Sequence, residues 1–344
     1  MRDAVHGSSA ALHAEGQSVR FSGEVLKERV PILATGLVAI LLYLVGGHYF
    51  PPFFTLRVVM NLLSDNAFLG VVAVGLTFVI LTGGIDLSVG SMVGCASIMV
   101  AIAIHKMHMH PLLGMALPLL FGVLFGSVQG LLVSKFKLPP FLVTLAGLFC
   151  LRGLALWISS ASVQIEDPRF DSIVEWSFSL PAKASLPATS IVFLVIVAIG
   201  AFVAKQTRFG RSVYAVGGNS SSAELLGVPV SKTLVAAYAL SGFCAALGGV
   251  VFTLYTQSGN AISGTGMELD AIACVVIGGT LLSGGYGSVL GTLLGVCILG
   301  MVQDAITFQG TLSSWWTKIV IGILLLVFLL MQKGLEKAAV RAVR

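Results

Sequence analysis

Long apolar stretches separated by short polar or glycine-rich breaks fill the chain from about residue 31 to residue 332. Each stretch is close to the roughly 20 residues that an α-helix needs to cross a hydrocarbon core. A transmembrane β-barrel would show short alternating segments instead. The pattern therefore predicts an all-α, polytopic membrane protein. Its ten predicted spans lie near residues 31–50, 66–82, 87–104, 112–133, 139–159, 188–204, 233–255, 268–283, 287–306 and 315–332.

The composition agrees with this pattern and excludes a soluble protein. Of the 344 residues, 56% are hydrophobic and only 10% are charged, whereas soluble domains carry about 25% charged residues. The 40 glycines fit helices that pack closely, because small residues let backbones approach each other. The net charge of +5 is no sign of nucleic-acid binding, since the basic residues are scattered between apolar stretches.

The basic residues predict the orientation of the spans. Fourteen of the 20 Lys and Arg residues lie in 1–30, at 135–137, in 205–232 or after residue 332. Four lie in the segments predicted on the other side of the membrane, and Arg152 and Lys318 fall within spans. Cytoplasmic segments of membrane proteins carry the excess of Lys and Arg. The count predicts that both termini are cytoplasmic, with a tail at 1–30, a membrane domain at 31–332 and a second tail at 333–344.

A short repeat links two of the breaks. Thr82-Gly-Gly-Ile-Asp-Leu-Ser88 is similar to Ile277-Gly-Gly-Thr-Leu-Leu-Ser283, and each ends one predicted helix and begins the next. Glycine-interrupted segments in corresponding positions of two halves indicate a transporter whose pathway lies between the halves.

The cytoplasmic segment 205–232 predicts a very short helix. Ser221 and Glu224 have the spacing of a capping box, and Gly227 with Pro229 ends the helix after about a turn and a half. Such a helix is marginal without a partner. It either folds back on the inner surface of the protein or inserts its leucines into a cytoplasmic partner.

Seven ionisable residues fall in or beside the predicted spans, where each would cost about 3 kcal/mol at a lipid-exposed helix centre. They are Asp65, Asp86, Arg152, Glu268, Asp270, Asp304 and Lys318. Asp86 is interpreted as the N-cap of the following helix, and Glu268 and Asp270 suit a helix N-terminus. Arg152 and Lys318 are available to neutralise acidic residues on other helices. The candidates for a polar substrate pathway are Asn61, Asp65, Asn66, Asp86, Gln303, Asp304 and Thr307.

Other polar clusters have simpler interpretations. The outer segment 160–187 is acidic and predicts either a solvated loop or a docking surface for an extracytoplasmic partner. The histidines at 105, 108 and 110 have no accompanying carboxylate and are assigned to a loop, so no metal site is predicted. The chain has no P-loop, no H-E-x-x-H and no G-x-S-x-G. It therefore carries no predicted catalytic residues, and uphill transport would need a coupling ion or a separate ATPase.

Three long motifs identify a family. Ala73–Ser91, Phe209–Asn219 and Val276–Gly284 resemble the ribose-type sugar ABC transporter permeases. Within that family, Leu62–Gly70, Glu268–Ala273 and Gly310–Ile319 are most similar to a galactofuranose transporter permease.

The resemblance implies a ten-helix permease of the bacterial inner membrane, like the type II ABC importers. Its partners would be a second, related permease subunit, a cytoplasmic ATP-binding cassette protein and a periplasmic sugar-binding protein. No cofactor is implied on this chain, because Mg-ATP would bind the cassette protein. The coupling helix would lie around 220–227, and the implied coupling residues are Arg211, Asn219, Ser221, Glu224, Leu225, Leu226 and Gly227.

The implied function is to pass a neutral monosaccharide from the binding protein to the cytoplasm, with galactofuranose first and ribose or another monosaccharide as the alternative. A secondary transporter driven by an ion at Asp65 or Asp304 is the competing function. It would not need a protruding capped helix in the 205–232 segment.

Overall fold

A computed structural model describes residues 33–181, 184–311 and 315–341, with side chains up to residue 334. The tail predicted at 1–30 lies outside the described residues. The tail predicted at 333–344 is described in part, as a continuation of the last helix to Arg341.

The described chain consists of helices and four short strands. The helices are α1 (Leu33–Tyr49), α2 (Leu56–Asp65), α3 (Ala67–Leu81), α4 (Val89–Ala101), α5 (Pro111–Lys135), α6 (Pro140–Ile158), α7 (Pro168–Glu175), α8 (Ala188–Gln206), α9 (Arg208–Gly218), α10 (Ser220–Leu225), α11 (Val230–Thr256), α12 (Met267–Ile277), α13 (Val289–Gln309) and α14 (Trp315–Arg341). The strands are β1 (Val163–Gln164), β2 (Ser177–Leu180), β3 (Ala184–Pro187) and β4 (Ser258–Gly259). A 3₁₀ turn at Pro51–Phe54 precedes α2, and a π-helical turn at Ile102–Lys106 extends α4.

Seven of the described helices are long and apolar enough to cross a membrane: α4 with its π turn, α5, α6, α8, α11, α13 and α14. Helices α2 and α3 make an eighth if they are taken together, although they are bent by 59°. Helix α1 is apolar but shorter, and α12 has only 11 residues. The chain is thus a mostly helical, multi-pass membrane protein, and the count of ten spans stays a prediction.

Helix α3 lies at the centre of the bundle. Every residue of α3 except Phe68 is buried, and the helix packs against α8, α11, α12 and α13. A helix that is apolar on all sides can bury its whole surface in this way. The sequence pattern did not predict α2, which begins with the cap of Thr55 and ends at the bend beside Asn66.

Glycines allow α5 and α11 to lie in close contact. A Cβ atom on Gly122 would collide with the carbonyl oxygen of Gly242, and one on Gly126 would collide with the carbonyl oxygen of Tyr238. Small residues at helix interfaces permit such approaches in membranes, where van der Waals packing drives helix association.

The two glycine-rich breaks meet at one end of the bundle, which we call the glycine end. The Gly285 N–H donates to the Leu81 carbonyl at 2.9 Å. Gly83 and Gly284 have φ values of 81° and 85°, which residues with a Cβ rarely adopt. The repeat seen in the sequence is therefore a pair of turns in contact.

Both ends of the described chain also lie at the glycine end. Thr35 Oγ1, near the start of α1, donates to the carbonyl of Ile277 at 2.6 Å. Gln332 Nε2, in α14, donates to the carbonyl of Val276 at 3.2 Å. Residues of the first and last described helices thus bind the carbonyls at the end of α12.

The opposite end carries the strands, and we call it the sheet end. There β1 pairs with β4, and β2 pairs with β3 in a hairpin. The segment 160–187, for which a solvated loop was one prediction, contains this hairpin and α7. A local cap explains α7, because the Asp167 carboxylate accepts from the Arg169 N–H at 2.8 Å. A side-chain hydrogen bond from Arg169 also lowers the pKa of Asp167 below its ordinary value.

Candidate functional site

A cavity of about 670 Å³, lined by apolar as well as polar residues, opens at the sheet end, and we call it the polar cavity after its polar wall. It lies between the α2–α3 bend, the start of α12, the end of α13 and the start of α14. Its polar and charged wall residues come from all four places, and they are Asp65, Asn66, Thr265, Asp270, Gln303, Thr307, Thr317 and Lys318.

The cavity brings together four of the seven pathway candidates: Asp65, Asn66, Gln303 and Thr307. Gln303 and Thr307 are four residues apart on α13 and so share one helix face. Asp304, the residue after Gln303, lies on a different face of α13 and does not line the cavity.

The other two candidates lie elsewhere. Asn61 is exposed on α2, one turn before Asp65, and does not line the cavity. Asp86 lies in the segment between α3 and α4, and its carboxyl group reaches Ser241 near the middle of α11. It does not line the cavity, although Gly90, four residues later, packs against the cavity residue Gly264.

An ion pair crosses the cavity wall between α14 and α12. Lys318 Nζ contacts Asp270 Oδ2 at 2.5 Å and Oδ1 at 2.7 Å. The Lys318 side chain is 54% exposed and that of Asp270 is 20% exposed. The sequence identified Lys318 as a cation in need of an acidic partner, but it gave no pairing, because the two residues are 48 positions apart.

Arg152 lies close enough to Glu268 of α12 for their charges to interact, and it also binds backbone carbonyls. Its guanidinium Nη1 donates to the carbonyl oxygens of Ala261 and Ser263, the latter at 3.0 Å. The cation on α6 thus anchors the irregular segment before α12 through backbone carbonyls. A sequence pattern of charged side chains does not reveal such acceptors.

Asp86 was predicted to be the N-cap of α4, but it is not. Helix α4 begins one residue after Ser88, and no side chain caps it. The carboxyl group of Asp86, which is 1% exposed, instead accepts from Ser88 N–H at 2.9 Å, from Ser88 Oγ at 2.6 Å and from Ser241 Oγ at 2.8 Å. Ser88 Oγ also lies 3.2 Å from Gln129 Oε1. The Asp86 network thereby joins the α3–α4 turn to α11 and α5.

The three histidines of the 105–110 segment lie around the turn between α4 and α5. His105 lies near the end of the π turn, and His110 Nδ1 accepts from the Leu112 N–H at 3.3 Å at the start of α5. His110 is therefore a helix cap in this structure.

The predicted short helix exists as α10, but its cap differs. Asn219 Oδ1 accepts from the Ser222 N–H at 2.8 Å, which makes Asn219 the N-cap. Helix α10 begins at Ser220, two residues earlier than Ser222, where a capping box of Ser221 and Glu224 would start it. Ser221 and Glu224 are exposed and do not form the box that was predicted. Asn is as good a capping residue as Ser, so local sequence did not decide between them.

Helix α10 presents two leucines away from the protein. Leu225 is 89% exposed and Leu226 is 84% exposed, whereas Ala223 is buried. Gly227 ends the helix with a φ of 83°. Arg211, also predicted to take part in coupling, is exposed on the preceding helix α9.

Helix α9 connects α10 to the glycine end. A Cβ on Gly217 would collide with the Leu81 carbonyl oxygen, to which Gly285 also donates. Tyr214 on α9 donates through its hydroxyl group to the Gly287 carbonyl at 2.9 Å. Helix α9 therefore contacts both glycine turns and leads directly into α10.

The comparisons with known proteins agree on one kind of protein. The family described as branched-chain amino acid transport system / permease component matches residues 58–329. The inner membrane ABC transporter permease protein YjfF of Escherichia coli is 50% identical over 311 residues, which cover 90% of this chain and 94% of that protein. The fructose import permease protein FruG of Bifidobacterium longum is 38% identical, covering 90% of this chain and 92% of FruG. The ribose import permease protein RbsC of Bacillus subtilis is 34% identical, covering 94% of this chain and 97% of RbsC. No solved structure matches the chain.

Proposed function

Because the chain belongs to the family of branched-chain amino acid transport system permease components, we propose that it forms the sugar pathway of an ATP-driven importer. As a permease component of a sugar ABC transporter it is not itself catalytic. Our proposal for its substrate is a neutral monosaccharide, with galactofuranose as the first choice and ribose or another monosaccharide as the alternative.

The polar cavity at the sheet end is the observation that carries this proposal. The three segments whose sequence resembles a galactofuranose permease, 62–70, 268–273 and 310–319, all contribute to its wall. Residues that are far apart in the chain thus surround one space. The subfamilies differ in the substrate that they transport. A segment that distinguishes one subfamily from another is therefore expected to contact the substrate.

The chemistry of the wall suits a neutral, hydroxyl-rich substrate. Amide and hydroxyl groups of Asn66, Gln303 and Thr307 both donate and accept hydrogen bonds. The charges of Lys318 and Asp270 are paired with each other, and the third charged wall residue, Asp65, accepts a hydrogen bond from the Tyr255 hydroxyl at 3.2 Å. An amino acid would bring a separate ammonium and carboxylate and would have to compete with this pair. The relatives FruG and RbsC are import permeases for fructose and ribose, which also favours a sugar.

The partners follow from the family and from the two ends of the bundle. We place the glycine end in the cytoplasm, where Leu225 and Leu226 of α10 would enter a groove on the ATP-binding cassette protein, which holds Mg-ATP. The sheet end would face the periplasmic sugar-binding protein. The second permease subunit is proposed to be a related chain, and the complex to lie in the bacterial inner membrane.

Coupling would run along the contacts of the glycine end. Closure of the cassettes on ATP would move α10, and α9 would transmit the movement through Gly217 and Tyr214 to the two glycine turns. These turns end α3 and α12, whose other ends border the cavity. The cavity needs to hold the sugar only weakly, because the binding protein delivers it.

The test is the sugar specificity of the reconstituted complex. We expect the binding protein loaded with galactofuranose to stimulate ATP hydrolysis and uptake more than ribose, fructose, leucine or a negatively charged sugar. Stimulation by ribose or fructose instead would remove only the galactofuranose assignment. Stimulation by leucine or the charged sugar would overturn the neutral-sugar proposal.

A pair of variants on α13 localises the effect. Gln303→Ala removes a group from the cavity wall, whereas Asp304→Asn changes the next residue, which does not line it. We expect Gln303→Ala to reduce sugar uptake several-fold and Asp304→Asn to leave it close to wild type. The reverse order would move the pathway away from this cavity.

A further inference from the structure

An apolar groove of about 370 Å³, which we call the lateral groove, runs between α8 and α11. Val74 and Phe78 of α3 form its floor and are 2% and 1% exposed. Ile199 stands on its rim and is 52% exposed. All the residues that line the groove are apolar. In a membrane-spanning bundle such a groove on the outer surface faces acyl chains.

The dimensions of the lateral groove fit one acyl chain better than a protein helix. Its α11 wall extends from Ala236 to Cys244, a rise of about 12 Å, against the roughly 15 Å thickness of one leaflet. A helix about 10 Å wide and 12 Å long would occupy about 900 Å³. The groove has less than half of that volume.

Three cations lie near the glycine end of the lateral groove. Lys205 is in the last turn of α8, beyond the wall residue Val203, and Arg208 begins α9 directly before the wall residue Phe209. Lys232 lies four residues before Ala236, on the same face of α11.

These cations lack carboxylate partners in the described part of the chain. All three side chains are exposed, and neither of the two ion pairs recorded among the described residues includes them. Between residues 195 and 250 the sequence has a single carboxylate, Glu224. The glycine end of the lateral groove is thus strongly basic.

We propose that the lateral groove binds one acyl chain of an anionic phospholipid, whose phosphate group is held by Lys205, Arg208 and Lys232. The positive-inside rule accounts for basic residues at helix ends, but not for an apolar groove that begins beside them. Basic pockets between helices favour anionic headgroups. A free phosphate would use the cations and leave the groove unfilled. This proposal rests on the membrane location of the chain and is independent of the sugar.

The experiment measures the lipid retained by the whole transporter complex purified in detergent. The complex is incubated with equal amounts of phosphatidylglycerol and phosphatidylcholine, and bound lipid is counted by native mass spectrometry, with inorganic phosphate added as a competitor in a parallel sample. We expect retained phosphatidylglycerol to exceed phosphatidylcholine by about tenfold or more, given three basic groups near one headgroup, and phosphate to displace little of it.

Two variants and one matched control separate the groove from general surface charge. The triple change Lys205→Gln, Arg208→Gln and Lys232→Gln should abolish the preference for the anionic lipid. Ala236→Trp should reduce retention of both lipids by filling the groove. The control, Lys135→Gln with Lys137→Gln, removes exposed cations from the other basic loop and should behave as wild type.

Several results would overturn the proposal. Equal retention of the two lipids, loss of preference in the control variant, or unchanged retention in Ala236→Trp would each do so. Full displacement by phosphate would show that the cations bind an anion without the groove. A disulfide crosslink from Ile199→Cys to the second permease subunit would show that protein covers the groove instead.

Discussion

Asp86 shows how a membrane protein accommodates a carboxyl group among apolar helices. Its side chain is almost completely buried and receives hydrogen bonds from Ser88 and Ser241. Buried polar groups are tolerated when they are hydrogen-bonded, and charged ones when they are also paired. None of these hydrogen-bond donors carries a charge. The contacts of the Asp86 carboxyl group therefore depend on its shape and on its ability to accept hydrogen bonds.

The first prediction follows from that arrangement. Asp86→Asn keeps the shape, and the hydroxyl group of Ser241 can rotate to accept from the new amide. Asp86→Leu leaves the donors of Ser88 and Ser241 without an acceptor, at about 1–3 kcal/mol each. We expect thermal unfolding of the purified complex to change little for Asn and to fall by several degrees for Leu. Equal damage in both variants would show that the negative charge itself is required.

The ion pair of Lys318 and Asp270 was predicted from the sequence only in part. The cost of an unpaired charge in lipid predicted that both residues face the protein interior, a cavity or the headgroup region. Their partnership depends on the packing of α14 against α12, which no local pattern contains. Arg152 interacts with the charge of Glu268, but its hydrogen bonds go to the carbonyls of Ala261 and Ser263, which no pattern of charged side chains reveals.

At the scale of elements, the long apolar runs were the most informative part of the sequence. Each predicted span overlaps a described helix, but α12 ends at Ile277, six residues before the predicted end of its span, and α14 continues nine residues beyond the predicted end at 332. The elements that the pattern missed are short. Helix α2 has 10 residues with polar positions at Asn61 and Ser64, and α7 has 8 residues in an acidic segment. Helices α2 and α7 form although their apolar pattern is weak, because local capping by Thr55 and Asp167 and packing stabilise them.

The second prediction concerns α10, whose six residues cannot be stable without their cap and their contacts. Asn219→Ala removes the cap, at a cost of about 1 kcal/mol. Leu225→Ser with Leu226→Ser removes the exposed apolar surface while leaving the cap in place. We expect both variants to weaken assembly with the ATPase or to leave ATP hydrolysis without sugar uptake.

Ser221→Ala is the matched control for α10. This residue lies on the same helix and is exposed, but it is not the cap. Uptake by Ser221→Ala should equal that of the wild type. Reduced uptake by Ser221→Ala together with normal uptake by Asn219→Ala would instead support the capping box that the sequence spacing predicted.

At the scale of the whole molecule, the side of the membrane that the basic residues predict for each segment agrees with the end of the bundle at which the segment lies. The described helices place the start of α1, the segment 208–228 and the end of α14 at the same end. The sequence predicted one side of the membrane for these segments from charge alone. The polar cavity, by contrast, could not be predicted, because Asp65 and Lys318 come together only after the whole bundle has packed.

The third prediction is that the two ends face opposite sides of the membrane. Ser172→Cys and Ser221→Cys, made in a variant that lacks the exposed Cys150, should react with an impermeant maleimide from opposite sides. We expect Ser172→Cys to react from outside in intact cells and Ser221→Cys only after permeabilisation. Labelling of both from one side would contradict the ten-span topology and the proposed orientation.

Helix α12 has a consequence for the biosynthesis of the protein. Its 11 residues extend about 16 Å, which is half of a hydrocarbon core of about 30 Å. Unpaired carbonyls are costly in that environment, and those of Ile277 and Thr280, at the end of α12 and just after it, accept from Thr35 and Gln332. One of these partners belongs to the first described helix and the other to the last described helix. The end of α12 therefore obtains both partners only after α14 has been synthesised, and a chain truncated before α14 would lack the partner of the Thr280 carbonyl.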